Sequence, residues 1–268
     1  MKDLITYAAS LFVGLLLGMI GAGGSILTVP VFVFVLKIDP LVSSVYSMFI
    51  VGISSLAGGI KAIFRKLVDI NTTIVFGIPS VTGVLIARKF IYPSIPDLIF
   101  SIGEYVVSRK ILFMICISTL MFTAAVRMLK APTLHRATNQ ADTKVKTGFL
   151  LIQGFIVGII TGLFGIGGGF LIVPALYFWS RLPMKKAVGT ALLIIAMNSL
   201  FSFSTSYAEL PINWILLLRF SLGAVIGILI GSRISEKIPG NYLRIIFGWF
   251  VMAVSFYIVF KQFTFHTG

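Results

Sequence analysis

Apolar residues come in long runs separated by short polar and basic clusters, and those runs set the elements. Ten segments read as helices: residues 4–20, 25–36, 40–63, 70–92 and 110–129, then 148–163, 169–180, 184–207, 212–234 and 241–261. The three longer ones in each set have the roughly 20 apolar residues that a bilayer core demands, and a helix satisfies every backbone hydrogen bond within itself. In each set the first two segments are separated by a glycine-rich break, and the second is short. The predicted fold is an all-α polytopic membrane protein of two homologous halves. Each half holds a Gly-broken helix pair plus three longer helices, so about eight transmembrane helices result if a broken pair counts as one.

The chain repeats itself at an offset of 144 residues. Gly14, Gly18, Gly21, Gly23, Gly24 and Pro30 of GLLLGMIGAGGSILTVP fall on Gly158, Gly162, Gly165, Gly167, Gly168 and Pro174 of GIITGLFGIGGGFLIVP. The register continues without a gap through Lys37 and Arg181, Ser54–Ser55 and Asn198–Ser199, Asp69 and Asn213, and Gly83 and Gly227. Such self-similarity marks a duplication. Residues 1–130 read as the first transmembrane repeat and 148–268 as the second. Residues 131–147 are polar and begin on a proline step, as a connecting loop does. An insertion at residues 97–110 has no counterpart in the second half.

Basic residues decide between two topologies. If the first two helices of each half both cross, Lys and Arg divide 10 to 11 and give no orientation signal. If they fold back as a hairpin, one side holds 14, among them Lys61, Arg65, Lys66, Lys144 and Arg244, and the other 7, among them Lys37, Arg88 and Lys89. The second division obeys the positive-inside rule. It predicts inverted repeats, a cytoplasmic central loop and both termini outside, in a multi-pass protein of the cell inner membrane.

Composition agrees: 58% of residues are hydrophobic and 11% charged, against about 25% charged in soluble domains. The net charge of +14 comes from clusters between apolar runs, as at Lys61, Arg65 and Lys66. That is the pattern of loops facing anionic headgroups, so nucleic acid is not a partner and the bilayer is. Cys116 is the only cysteine, which excludes an intramolecular disulfide and a cysteine-rich metal site; it reads as a small packing residue. The first apolar segment reads as retained, not as a cleaved signal peptide.

Irregular backbone inside a membrane must line a cavity or be buried in protein. The consecutive glycines Gly21, Gly23 and Gly24 with Ser25, and Gly165, Gly167, Gly168 and Gly169, are therefore candidate substrate-binding positions. Each break precedes a short helix whose unpaired N–H groups and dipole attract anions. Ser25 is placed to cap the first such helix, whereas Gly169 offers only backbone. Gly14, Gly18, Gly158 and Gly162, at four-residue spacing, fit close helix packing better. Ser54, Ser55, Asn198 and Ser199 lie deep in the third helix of each half, placed either to donate hydrogen bonds to an oxyanion or to join helices. Ser47, Thr190, Tyr46 and Gln153 are weaker candidates of the same type, and Arg219 reads as a snorkelling residue.

The acidic residues fall at helix ends or in loops, and His135 and His266 in the loop and tail. No carboxylate relay, His-based metal site or intramembrane hydrolase is therefore expected, and no cofactor. A path lined by glycine, hydroxyl, amide and helix N-termini suits an anion.

The duplicated glycine block, the small polar pair in each third helix, and the segments GVLIAR and GILIGSR resemble the TauE/SafE family of sulfite and organosulfonate exporters. The resemblance covers nearly the whole chain. It implies generally outward transport of sulfite, sulfoacetate, sulfolactate, thiosulfate or a related anion, with the glycine blocks flanking the path. A homodimer is compatible with this class. The expected function is export of a small sulfur-containing anion by alternating access, not catalysis; a passive anion channel and a membrane assembly factor are the alternatives.

Overall fold

The computed structural model describes residues 2–21, 23–96, 98–102, 105–130, 147–164, 169–207 and 212–264. In the first half α1 (Lys2–Ile20) and α2 (Gly23–Pro30) precede α3 (Pro40–Phe64), α4 (Ile70–Ile86), the single turn α5 (Tyr92–Ser94) and α6 (Arg109–Lys130). In the second, α7 (Thr147–Phe164) and α8 (Gly169–Phe178) precede α9 (Met184–Ser206), α10 (Trp214–Lys237) and α11 (Gly240–Thr264). Among the described residues, six helices are long and apolar enough to cross a membrane: those of α3, α4 with α5, α6, α9, α10 and α11. The expected insertion forms a small antiparallel hairpin, β1 (Leu98–Ile102) with β2 (Tyr105–Ser108), added to the helical body.

Helix α2 has 8 residues and α8 has 10. At about 1.5 Å per residue, neither reaches across a hydrocarbon core about 30 Å thick. Pro30 ends the regular part of α2, because its ring removes an N–H and crowds the preceding turn. A π-helical turn, Val31–Val35, then absorbs the mismatch. Both short helices close alike. Lys37 and Arg181 take left-handed φ of 54° and 52°. Ile38 N–H donates to the Phe32 carbonyl at 3.0 Å and Leu182 N–H to that of Leu176 at 3.2 Å.

The halves interlock: α1 lies on α10 and α7 on α4. A Cβ on Gly14 would collide with the Ala224 carbonyl oxygen, and one on Gly158 with that of Ser80. Gly18 similarly faces Ile228, and Gly162 faces Val84. Each pair is the other shifted by the sequence offset. These are packing glycines, through which two backbones approach without a side chain between them.

Helix starts repeat the same way. Asp69 caps α4 by accepting from Thr72 N–H at 2.7 Å, and Asn213 caps α10 by accepting from Leu216 N–H at 3.1 Å. The Asp69 N–H donates to Thr190 Oγ1 at 3.0 Å, and the Asn213 N–H to Tyr46 Oη at 2.6 Å. The largest buried cluster runs through α8 and α9, from Phe170 and Leu176 to Ile194, and reaches Phe247 on α11.

Candidate functional site

Helices α3 and α9 cross at the centre. Gly52 faces Leu200 and Gly59 faces Leu193, so the two run antiparallel. Ser54, Ser55, Asn198 and Ser199 fall together at this crossing, all buried. Their polar atoms are not equally committed. Ser54 donates to the Ile50 carbonyl of its own helix at 2.5 Å, and Asn198 Nδ2 donates to Ser80 Oγ at 2.8 Å. Ser55 Oγ, Ser199 Oγ and Asn198 Oδ1 are buried and have no hydrogen-bond partner among the described residues. A buried polar group left unmatched costs about 1–3 kcal/mol. This trio is the set able to serve a bound ligand.

Gly21 has φ +78°, the left-handed region where glycine is favoured, and a Cβ there would lie 2.7 Å from Val188 Cγ1 on α9. The first break therefore abuts the crossing helix. Helix α2 begins at Gly23, which places Gly24 and Ser25 inside its first turn. Ser25 is therefore not the N-cap that the sequence predicted: the helix starts two residues earlier than the apolar pattern indicates, because glycines carry no hydropathy signal. Gly165, Gly167 and Gly168 lie outside the described residues. Gly169 is the buried first residue of α8.

Two cavities flank the crossing. One, lined by Gly18, Lys61, Lys185, Val188, Leu192 and Ser232 among others, has a volume of about 30 Å³. The other is about 910 Å³ and includes Gly162, Leu41, Ser44, Met48 and Arg88 in its wall. Leu41, Ser44, Met48, Arg88 and Gly162 correspond to Lys185, Val188, Leu192, Ser232 and Gly18 at the sequence offset, so the cavities are equivalent places in the two halves. They lie at opposite ends of α3, and Ser54, Ser55, Asn198 and Ser199 line neither.

Cations fasten helices at both cavities. Lys61 Nζ donates to Ser232 Oγ at 2.7 Å and to the Leu229 carbonyl at 2.8 Å, tying α3 to α10. Arg88 Nη1 donates to Ser206 Oγ at 2.8 Å and to the Ser202 carbonyl at 3.3 Å, tying α9 to the π turn Ala87–Ile91 that extends α4. Lys185 Nζ donates to the Glu236 carbonyl at 2.6 Å beside the small cavity.

The weaker candidates separate. Tyr46 and Thr190 hold the amides that begin α10 and α4, which is a structural task. Both amide atoms of Gln153 are buried and have no partner among the described residues, and Ser47 is buried. Arg219 is exposed and shares a pocket wall with Tyr7. Cys116 is exposed rather than packed inside, because α6 meets the bundle mainly through the stripe that faces α11.

The sulfite exporter TauE/SafE family matches residues 6–258. The chain belongs to this family. It is 27% identical over 267 residues to a "Probable membrane transporter protein" of Xylella fastidiosa strain Temecula1, covering 97% of this chain and 95% of that one. It is 30% identical to the "Probable membrane transporter protein YunE" of Bacillus subtilis, over 88% and 90% of the two chains. A third relative, "Probable membrane transporter protein MJ0441" of Methanocaldococcus jannaschii, is 27% identical over 87% and 86%. No solved structure matches. The TauE/SafE chain is thus a membrane protein of a transporter family.

Lys61 and Arg88 are cavity residues that the sequence reading counted only as orientation charges. A signal was present: each is a basic residue within the last turns of an apolar run, and the offset pairs it with a hydroxyl, Thr205 for Lys61 and Ser232 for Arg88. Basic clusters at helix ends are so common that orientation alone accounted for them.

Proposed function

We propose that this protein exports a small sulfur-containing anion, of the sulfite or organosulfonate class, by alternating access between its two halves. The observation that carries this reading is the pair of offset-related cavities at opposite ends of antiparallel α3 and α9, one about 910 Å³ and one about 30 Å³. A rocking carrier open on one side and shut on the other has this asymmetry. The path would pass the crossing, where Ser55, Asn198 and Ser199 hold uncommitted polar atoms, and the mouths of both glycine breaks next to Gly18 and Gly162. The family and the relatives' names support transport; the anion class comes from the family's description and the anion-suited lining.

The antiparallel mates α3 and α9 support inverted repeats, since a two-fold axis relating them lies across the helices and hence in the membrane plane. In this topology α1–α2 and α7–α8 are re-entrant pairs, residues 131–147 lie in the cytoplasm and both termini lie outside, in the cell inner membrane. A fluorescent reporter fused after Gly268 that folds only in the cytoplasm should stay dark; bright fluorescence overturns the orientation.

Uptake of radiolabelled sulfite and sulfoacetate into proteoliposomes, with chloride as control and with and without an imposed potential, tests the function. Saturable flux with counter-transport is expected. Ser55→Ala with Ser199→Ala should reduce it at least about tenfold while leaving thermal stability unchanged, because removing an unsatisfied hydroxyl costs the fold nothing. Non-saturable flux would mean a channel, and none from folded protein would overturn transport of these anions.

A further inference from the structure

Tyr7, Asn213 and Arg219 share the wall of a pocket of about 260 Å³ at the start of α10, apart from the two cavities that flank the crossing. The glycine contact between α1 and α10 brings them together. Gly223 meets Ser10, Gly227 meets Leu11 and Gly231 meets Leu15, so the two helices run parallel. One turn back along that register stand Tyr7 on α1 and Arg219 on α10. All three residues are exposed. Each keeps a donor with no acceptor among the described residues: the Arg219 guanidinium, the Tyr7 hydroxyl, and Nδ2 of Asn213, whose Oδ1 is spent on Leu216 N–H.

The fold does not need these donors. The contact of α7 with α4 repeats that of α1 with α10, and at the sequence offset it has Leu151 in place of Tyr7 and Val75 in place of Arg219. Arg219 is the sixth residue of α10, about 8 Å along the axis from its start, in a helix apolar and long enough to cross a membrane. A guanidinium at that depth reaches back toward the headgroups, and leaving its charge unmatched there is costly. Ile215, in the pocket wall, begins an exposed stripe that continues through Leu218 and Leu222, so this face meets acyl chains. Trp214, exposed at the helix start, is of the type that settles at headgroup level.

We propose that this pocket binds the phosphate of a phospholipid, whose acyl chains lie along the stripe of Ile215, Leu218 and Leu222. A phosphodiester brings one negative charge to the one positive charge, and its oxygens are acceptors for all three donors. No carboxylate among the described residues lines the pocket to compete for the guanidinium. The lipid rather than free phosphate is the occupant because the pocket adjoins an exposed apolar face, on which two acyl chains gain what a hydrated ion cannot. The site stands whatever anion the protein carries.

Native mass spectrometry of the delipidated full chain in a neutral detergent tests it, with dioleoyl phosphatidylglycerol, dioleoylglycerol or inorganic phosphate added. Wild type should retain one phosphatidylglycerol and little of the other two. Arg219→Gln should cut the lipid-bound fraction at least about fivefold, and Tyr7→Phe about twofold. Lys186→Gln removes an exposed cation at the start of α9 and should bind as wild type does. Equal retention by wild type and Arg219→Gln overturns the site, as does a loss in Lys186→Gln as large as in Arg219→Gln, which would make the effect one of net charge. Dioleoylglycerol retained as well as phosphatidylglycerol would leave only apolar contact, and inorganic phosphate bound in its place would mean a free-anion site; either result overturns the proposal. So does a wild type that retains no lipid. Thermal unfolding of the lipid-free variants separates lost binding from lost fold. Arg219→Gln should unfold with wild type, because the guanidinium has no acceptor among the described residues to lose.

Discussion

Gly158→Leu yields little or no folded protein, whereas Gly148→Leu yields wild-type amounts; this is the expected result of comparing the two by size-exclusion chromatography and thermal unfolding in detergent. A Cβ at Gly158 falls on the Ser80 carbonyl oxygen and its Cα, which is backbone and cannot rotate away, while nothing lies within 4 Å of one at Gly148. Relief requires α7 and α4 to move apart along a shared face that also holds Gly83, Gly154 and Gly162. Overpacking a core by a few methylene groups costs about 1–3 kcal/mol when side chains can yield. Here backbones must yield, and the loss should exceed that range. Gly14→Leu at the equivalent contact of α1 with α10 should fail equally. Folded, stable Gly158→Leu would show that the α4–α7 contact is not what holds the halves together.

Lys61→Met should open the smaller cavity. The ammonium is the tie between α3 and α10 there, with two hydrogen bonds from one charged group. Lys61 is only half-buried, so the tie is worth about 1–2 kcal/mol, below the full range for buried charged hydrogen bonds. Lost from the closed state alone, that free energy shifts an open–closed equilibrium roughly 5- to 30-fold. Leu192 is 2% exposed and lines this cavity. A cysteine introduced by Leu192→Cys, in a Cys116→Ser background because Cys116 is exposed, should react with a hydrophilic maleimide faster by that factor once Lys61 is replaced. Lys186→Met, at an exposed position, should leave the rate unchanged. Equal rates with and without Lys61 would reduce its contact to surface decoration.

The helical body was legible in the sequence because a membrane leaves few solutions. A run of twenty apolar residues must be a helix, and the boundaries of α3, α9 and α10 and the start of α4 lie within a few residues of those the pattern predicts. Spacing also identified Gly14, Gly18, Gly158 and Gly162 as packing residues, since four-residue intervals put them on one face. Ser25 was misplaced as a cap because a start within consecutive glycines leaves no polar or periodic mark. Cys116 was misjudged for a related reason: an apolar environment can be lipid as well as core, and hydropathy does not distinguish them.

For the candidate site the division is sharper. Ser54, Ser55, Asn198 and Ser199 could be singled out as small polar residues at depth, but which of their atoms are spent depends on Ser80, over a hundred residues from Asn198, and on local back-bonding to Ile50. Lys61 and Arg88 looked like orientation charges because each of their partners lies more than a hundred residues away.

By itself, then, the sequence determined that this is a duplicated helical membrane protein with two glycine breaks, because hydropathy and backbone satisfaction act locally along the chain. Only the tertiary structure decided that α1 belongs on α10 and α7 on α4, that one cavity is large and its equivalent nearly shut, and that Arg88 is fastened to α9. Those are properties of surfaces brought together from distant segments, and free energies of contact between helices have no signature in the order of residues within either one.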